Sequence, residues 1–269
     1  MRSQSEKIVK SSVEWRKQNQ VKKLRLIMTV VTVFLCISVA AGAILAWLQM
    51  KGATEKAKQA AAKYTAVVSS NSDSLPVYDN NFNLILVNST NPIPAGYKIG
   101  LADCNGIPLE EKIVPALDKM MKAAQAAGCP LKLSSGYVDS KKQDQLYQAE
   151  VKRLMTTQKK SQVLAENAAQ ASVGRGGYSE NQTGLAVTFT ADGIKSGQDF
   201  STTAQYRWLV QNSVVYGFIL RYPENKKTET GCGFNPSHFR YVGSDNAVKM
   251  REFSMCLEEY IDYLSNQQN

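Results

Sequence analysis

Residues 175–189 read RGGYSENQTGLAVTF, and this stretch decides the fold assignment. Its glycines, together with Gly174, interrupt regular secondary structure. The apolar run from Leu185 to Phe189 is typical of a strand. The glycines lack the lysine and the spacing of a phosphate-binding loop. We therefore interpret the segment as a flexible loop at the mouth of a cleft, followed by a strand.

The sequence before this stretch alternates between extended and helical patterns. The apolar run from Phe82 to Val87 suits a strand or an extended clamp on the domain surface. Apolar residues recur at helical spacing from Leu109 to Ala127, which predicts an amphipathic helix. A short strand is predicted from Leu131, and Ser140 is expected to cap a long helix that runs through Leu154.

The sequence after this stretch is mixed in the same way. Ser201 or Thr202 is expected to cap a helix, and strands are predicted around FILRY from Phe218 and FRYVG from Phe239. The pattern becomes helical again from Leu257. Helices and short strands without a regular βαβ rhythm indicate an α+β domain.

The charge of the chain is concentrated at its N-terminus. The formal net charge is +9, but eight of the 32 basic residues fall in residues 1–25, against two acidic ones. From Gln49 onward 24 basic residues face 21 acidic ones. A nucleic-acid-binding domain would carry its basic excess on the folded part, so this balance argues against nucleic acid as a partner.

Residues 26–48 read LIMTVVTVFLCISVAAGAILAWL and contain no charged residue. As a helix they would extend roughly 35 Å, enough to span a bilayer. A cleaved signal peptide, cut near Ala41 or Ala43, is the alternative, although its apolar region would usually be shorter. The basic residues before the span predict a single-pass protein of the cell membrane with a cytoplasmic N-terminus.

This topology divides the chain into four parts. Residues 1–25 form a basic cytoplasmic tail, 26–48 a transmembrane anchor, 49–76 a stalk rich in Ala, Lys and Ser, and 77–269 an extracytoplasmic domain. Disulfides are permitted outside the cytoplasm. The four cysteines there allow three pairings or free thiols, and none forms a CxxC zinc motif; they are Cys104, Cys129, Cys232 and Cys256.

Three blocks together resemble a known family. They are SSGYVDS at residues 134–140, RGGYSENQTGLAVTF at 175–189, and the run from Trp208 through Gly243. They resemble the VanY-type D-alanyl-D-alanine carboxypeptidases, zinc enzymes that remove the terminal D-alanine from peptidoglycan stem peptides. The resemblance extends from about Asn83 to Tyr260. It implies the DD-carboxypeptidase/Hedgehog-like fold, in which a small antiparallel sheet packs with helices.

The chain departs from this family at the positions that carry its chemistry. The first family motif is Ser-x-His-x-x-Gly-x-Ala-x-Asp, and here Asn181 replaces the ligand His and Thr188 the ligand Asp. The second is Glu-Pro-x-His, where Asn235 replaces the general-base Glu and His238 keeps the third ligand. Val138 replaces the Arg of Ser-Gly-Tyr-Arg, which the resemblance implies would steady the substrate's charge.

These replacements predict that zinc and catalysis are both lost. A hydrolytic zinc site needs three anionic or imidazole ligands and an open position for water. The amide of Asn181 and the hydroxyl of Thr188 are neutral and weak ligands, and His238 is the only histidine in the chain. Asn235 cannot accept a proton as a carboxylate does. We therefore expect no metal and no catalytic residue, and we interpret His238 as a hydrogen-bonded structural residue.

Other residues are poor substitutes for the missing groups. Asp192 lies too far along an extended strand from Thr188, and a regular strand would turn Cys232 away from Asn235. Glu180 and Glu229 are close in sequence and stay open as distant helpers.

The sequence therefore favours a catalytically inactive carboxypeptidase homologue that binds a peptidoglycan stem peptide, or a membrane or cell-wall protein, without cutting it. Two alternatives stay open: an active cell-wall metallocarboxypeptidase with a nonstandard metal site, and an exported structural or scaffold protein. The retained cleft would offer six further candidates for ligand contact, namely Ser135, Tyr137, Val138, Ser179, Gln182 and Thr183. If residues 181, 188, 235 and 238 converge, the inherited pocket is intact.

Overall fold

The computed structural model describes residues 28, 51, 75–191, 194 and 199–267. The chain divides into two compact units, Met1–Thr65 and Ala66–Asn269, and the elements below belong to the second. Almost all of the predicted anchor (26–48) and stalk (49–76), and the whole of the predicted tail (1–25), lie outside the described residues. Within the described ranges, no helix combines the length and apolar character needed to cross a membrane.

A four-stranded antiparallel sheet forms the centre of the domain. Its strands lie in the order β3-β4-β6-β5, and a separate two-stranded hairpin, β1-β2, precedes them in the chain. The strands are β1 (Leu101–Cys104), β2 (Ile107–Glu110), β3 (Lys132–Ser135), β4 (Ala186–Thr190), β5 (Phe218–Tyr222) and β6 (Asn235–Tyr241). The predicted α+β class and small antiparallel sheet are confirmed.

Helices surround the strands. They are α1 (Asn80–Asn83), α2 (Val114–Ala126), α3 (Ser140–Thr157), α4 (Gln162–Ser172), α5 (Ala204–Asn212), α6 (Lys227–Thr230), α7 (Ser244–Glu252) and α8 (Leu257–Gln267). Short 3-10 turns join several elements, at Glu111–Ile113, Glu180–Thr183, Phe200–Thr202, Ser213–Tyr216 and Glu224–Lys226. The helices predicted through Leu154 and from Leu257 are confirmed.

Two predicted helix caps are wrong by one or two residues. The side chain of Asp139, not Ser140, accepts a hydrogen bond from the backbone N–H of Lys142 and begins α3. Thr203, rather than Ser201 or Thr202, caps α5. In both cases the capping residue has extended backbone, which lets its side-chain oxygen reach the first free N–H groups of the helix.

Two predicted elements near the start of the domain also differ. The helix predicted from Leu109 begins at Val114, because Leu109 and Glu110 belong to β2. Asn105 and Gly106, with φ of 56° and 82°, form the tight turn that closes this hairpin. Of the two forms predicted for 82–87, the strand is wrong, since the start of the segment belongs to the single turn α1 and the rest is irregular; the extended clamp stays a prediction.

Side-chain alternation along β4 separates the core from the cleft. Val187 and Phe189 are buried on one face, where Phe189 packs edge-to-face on Phe239 of β6 with ring centroids 5.7 Å apart. Thr188, between them in sequence, points to the other face because successive strand residues alternate. His238 precedes Phe239 and likewise faces away from it. The sheet therefore brings polar side chains together on the face opposite its aromatic core.

Candidate functional site

Thr188 and His238 are direct cross-strand partners. The antiparallel register of β4 and β6 pairs their Cα atoms, and Thr188 Oγ1 lies 3.3 Å from His238 Nδ1. The His238 ring also stacks on Tyr222 of β5, with centroids 5.3 Å apart and planes 25° from parallel. Two of the four positions singled out by the sequence are thus in contact.

All four positions line a single cavity of about 400 Å³. Asn181 comes from the 3-10 turn before β4, Thr188 from β4, and Asn235 and His238 from β6. The other lining residues are Asn88, Ser89, Gln143, Leu146, Gln170, Ala171, Ser172, Val173, Gly174, Tyr178, Ser179, Glu180, Tyr222, Cys232, Gly233 and Phe234. The inherited pocket is therefore present, and it is lined mainly by amides, hydroxyls and apolar groups.

The two asparagines take part in local structure. The backbone carbonyl of Asn181 accepts hydrogen bonds from the N–H groups of Val138 and Gly184, each at 3.3 Å. The amide oxygen of Asn235 accepts from the N–H of Ser237 at 3.2 Å and from its hydroxyl at 2.9 Å. The side chain at the general-base position is thus hydrogen-bonded within its own strand, and an amide offers no proton acceptor there.

Glu180, one of the lining residues, forms the centre of a buried ion-pair cluster in the wall of the cavity. Its Oε1 accepts from Arg221 Nε at 2.9 Å and from Arg240 Nη1 at 2.6 Å. Arg221 also binds Glu258 through two hydrogen bonds of 2.8 and 2.7 Å. Burial alone would raise the pKa of Glu180, but Arg221, Arg240 and His238 together lower it well below its usual range. Glu180 therefore stays ionised.

The second oxygen of Glu180 faces the histidine. Glu180 Oε2 and His238 Nε2 lie 3.6 Å apart, longer than a hydrogen bond, and each is buried with no hydrogen-bond partner. The two atoms therefore sit opposite each other without a bond, while Nδ1 faces Thr188. The prediction left Glu180 open as a distant helper; the structure shows it beside the histidine and tied to two arginines.

The six predicted cleft residues fall into three groups. Ser179 lines the cavity. The side chain of Gln182 accepts a hydrogen bond from Gly177 N–H, and Thr183 bonds to the backbone of its own turn, so both are occupied by structure. Like Gln182 and Thr183, the remaining three do not line the cavity, namely Ser135, Tyr137 and Val138.

The donor set does not fit a zinc ion. His238 is the only lining residue that is a strong ligand in its neutral form. Cys232 lines the same cavity, contrary to the prediction, because β6 starts only at Asn235 and the preceding loop turns at Gly231. Burial raises the pKa of the Cys232 thiol, which keeps it protonated and weakens it as a ligand. The described residues contain no group of three or more His, Cys, Asp or Glu that could hold a metal.

Comparison with known proteins gives the family. Residues 106–244 match VanY, described as D-alanyl-D-alanine carboxypeptidase. The chain belongs to the VanY family. Among its VanY relatives, a D-alanyl-D-alanine carboxypeptidase of Enterococcus faecalis is 39% identical over 187 residues, covering 68% of this chain and 67% of the relative. The putative carboxypeptidase YodJ of Bacillus subtilis is 32% identical over 205 residues, covering 71% of each.

Solved VanY structures share the fold. A mutant of the D,D-pentapeptidase VanY from the VanB-type resistance cassette, in complex with Zn(II), is 40% identical with a TM-score of 0.62, covering 67% of this chain and 99% of that one. VanYB in complex with D-alanine-D-alanine is 39% identical with the same TM-score, covering 67% and 98%. The predicted resemblance to VanY-type carboxypeptidases is confirmed, and the loss of activity stays a prediction.

Proposed function

We propose that this chain is a noncatalytic VanY protein, anchored in the cell membrane, whose extracytoplasmic cleft binds peptidoglycan stem peptides without hydrolysing them. One observation carries the proposal. The four positions at which the VanY resemblance expects two zinc-binding groups, a general base and a histidine line one cavity, but they supply two amides, one hydroxyl and one imidazole.

The chemistry that these residues lack is the activation of water. A zinc ion with three protein ligands lowers the pKa of its bound water toward neutrality, and a carboxylate then removes the proton. Asn181 and Thr188 are weak ligands, and the amide of Asn235 has no basic lone pair at physiological pH. Glu180 is a carboxylate in the cavity lining, but Arg221 and Arg240 occupy its Oε1 and hold its pKa low.

The case for binding rests on the cavity and on the relatives. A volume of about 400 Å³ lies within the range of small-ligand sites. One relative is described in complex with D-alanine-D-alanine. Another, an LD-carboxypeptidase with 30% identity and a TM-score of 0.56, is described in terms of peptidoglycan recognition. A stem peptide is therefore our proposed ligand, with a membrane or cell-wall protein as the competing partner.

The test compares hydrolysis and binding in the same samples. Full-length protein in detergent is incubated with a stem pentapeptide ending in D-Ala-D-Ala, with added zinc, and the E. faecalis relative serves as positive control. We expect calorimetric binding and no release of D-alanine above the blank. Release that disappears in His238→Ala would instead support an active enzyme with a nonstandard metal site. A folded protein that binds no peptide would favour a scaffold.

The membrane topology is proposed from residues 1–48 alone. The uncharged run 26–48 after a basic tail predicts a cytoplasmic N-terminus and an exported domain. Protease added to intact cells should digest the domain and leave an epitope tag at the N-terminus protected. Protection of the domain, or digestion of the tag, would contradict this orientation.

A further inference from the structure

Apart from the carboxylate of Glu180 and the imidazole of His238, the polar side chains that line the cavity in the described part of the chain are neutral. In the described part of the chain, no lysine or arginine belongs to its lining. Five carboxamides do, namely Asn88, Gln143, Gln170, Asn181 and Asn235. A side-chain amide carries donors and an acceptor, the same groups that a peptide bond presents. One end of four of these amides already bonds within the chain: Oδ1 of Asn88 and Asn235, Oε1 of Gln170 and Nε2 of Gln143. A ligand that pairs with the remaining amide groups is the backbone of a neutral peptide.

The nearby arginines do not make the cavity positive. Arg221 and Arg240 are fully buried and bonded to Glu180, and Arg221 also binds Glu258. Two guanidinium groups and two carboxylates sum to zero formal charge. Their hydrogen-bonding groups are directed to each other and to backbone carbonyls rather than toward a ligand.

The residues at the edge of the cavity add little positive charge. Val138 lies beside Asn181, to whose carbonyl its N–H donates at 3.3 Å, and its side chain is apolar. Arg175 is exposed, and its guanidinium stacks 4.3 Å from the ring centre of Tyr178, a lining residue. A solvated charge in this position is screened and contributes weakly to binding.

A free carboxylate would therefore enter this cavity without a lysine or arginine as counter-charge and close to the ionised Glu180. Removing an ionised group from water is costly unless it is paired, whereas an amide can be compensated by hydrogen bonds to other amides. We propose that the cleft selects peptide segments that lack a free C-terminal carboxylate, such as the amide-linked interior or a cross-linked or amidated end of a stem peptide, over the free acid. This inference rests on the proposed binding function.

The test uses a matched pair of ligands. An N-acylated D-Ala-D-Ala peptide and its C-terminal carboxamide differ only in the terminal charge, and each is titrated into the full-length protein by calorimetry while D-alanine release is monitored. We expect the carboxamide to bind at least about tenfold more tightly, since each tenfold step corresponds to about 1.4 kcal/mol. A free acid that binds equally or more tightly overturns the inference.

The outcomes separate the inference from the proposed function. Preference for the acid without release of D-alanine overturns only the inference. Preference for the carboxamide together with slow release from the acid supports the inference and overturns noncatalytic function. Absence of binding to both peptides overturns both.

Variants at the cavity edge test whether the missing cation causes the preference for the carboxamide. Val138→Arg places a cation beside Asn181 and should shift the preference toward the acid, while Val138→Gln, of similar length and no charge, should keep the carboxamide preference. Arg175→Gln should leave the preference of the native chain unchanged. If wild-type protein binds the acid tightly and Arg175→Gln abolishes that binding, Arg175 anchors the carboxylate and the inference is wrong.

Discussion

Arg221 and Arg240 lie fully buried in the neighbouring strands β5 and β6, each next to aromatic or aliphatic residues in sequence. A buried guanidinium must be paired, because an unpaired charge in the interior is strongly destabilising. Glu180 is their shared partner, and it also keeps the His238 ring beside a negative charge. At the residue scale, the domain depends on this carboxylate even though the site beside it lacks a zinc donor set.

We predict that Glu180→Gln lowers the free energy of unfolding by about 3–5 kcal/mol, because it leaves two buried guanidinium groups without their shared counter-charge. Glu150→Gln is the matched control, since Glu150 pairs with Arg153 at the surface and should change stability far less. Thermal unfolding followed by circular dichroism measures both. Equal losses in the two variants would show that the buried cluster contributes no more than a surface pair.

The same carboxylate should make stability depend on pH. The pKa of Glu180 is lower in the folded protein than the 4.5 that is usual for a glutamate, so the unfolded chain binds a proton first as the pH falls. Its contribution is full above about pH 4.5 and declines below it. The stability difference between wild type and Glu180→Gln should therefore shrink from pH 5 to pH 3. A constant difference across that interval would refute a depressed pKa.

At the element scale, the turn before β4 positions the site. Residues 180–183 form one 3-10 turn, which ends at Gly184 with φ of +69°. The carbonyl of Gly184 accepts from Glu110 N–H at 3.1 Å and so joins this turn to β2. This geometry sets where Asn181 and Glu180 lie relative to the two strands that carry Thr188 and His238.

Gly184→Ala should destabilise the domain by roughly 2–4 kcal/mol, because left-handed strain adds to a steric clash. A Cβ at this position would lie 2.8 Å from the backbone nitrogen of Glu110 and in contact with Ile99. Gly106→Ala is the control for backbone strain alone, since Gly106 has φ of +82° but open space where a Cβ would lie. It should lower the free energy of unfolding by roughly 1–2 kcal/mol. If both variants unfold at the same temperature, close packing at Gly184 is unimportant.

Secondary structure was predictable where one pattern dominated. The apolar spacing of α2 and the short apolar runs of β4 and β5 predict these elements without a competing pattern. Leu109 was assigned to a helix because its apolar character fits either element, although the Asn105-Gly106 pair is a hairpin signal that favours a strand there. The caps were missed because neighbouring Ser, Thr and Asp residues are equally good caps until the backbone geometry is known.

At the scale of the whole molecule, the fold brings distant motifs into one cavity. The resemblance to a known family singled out residues 181, 188, 235 and 238 and left open whether they converge; the structure places all four around one cavity. The roles of Glu180, Arg221 and Arg240 were not predicted, since their contacts span about 40 residues or more of sequence. Arginines flanked by apolar and aromatic residues in predicted strands were the available signal, because arginine is almost never fully buried unless paired.

The central claim is that this VanY cleft has lost its metal site through the replacement of ligands and not through loss of shape. It is tested most directly by the zinc content of the purified full-length protein after equilibration with zinc and removal of the free ion. The matched variant carries Asn181→His, Thr188→Asp and Asn235→Glu together. We predict that the native chain retains no stoichiometric zinc and that the triple variant gains zinc affinity. One tightly held zinc ion per native chain, lost in His238→Ala, would contradict the account.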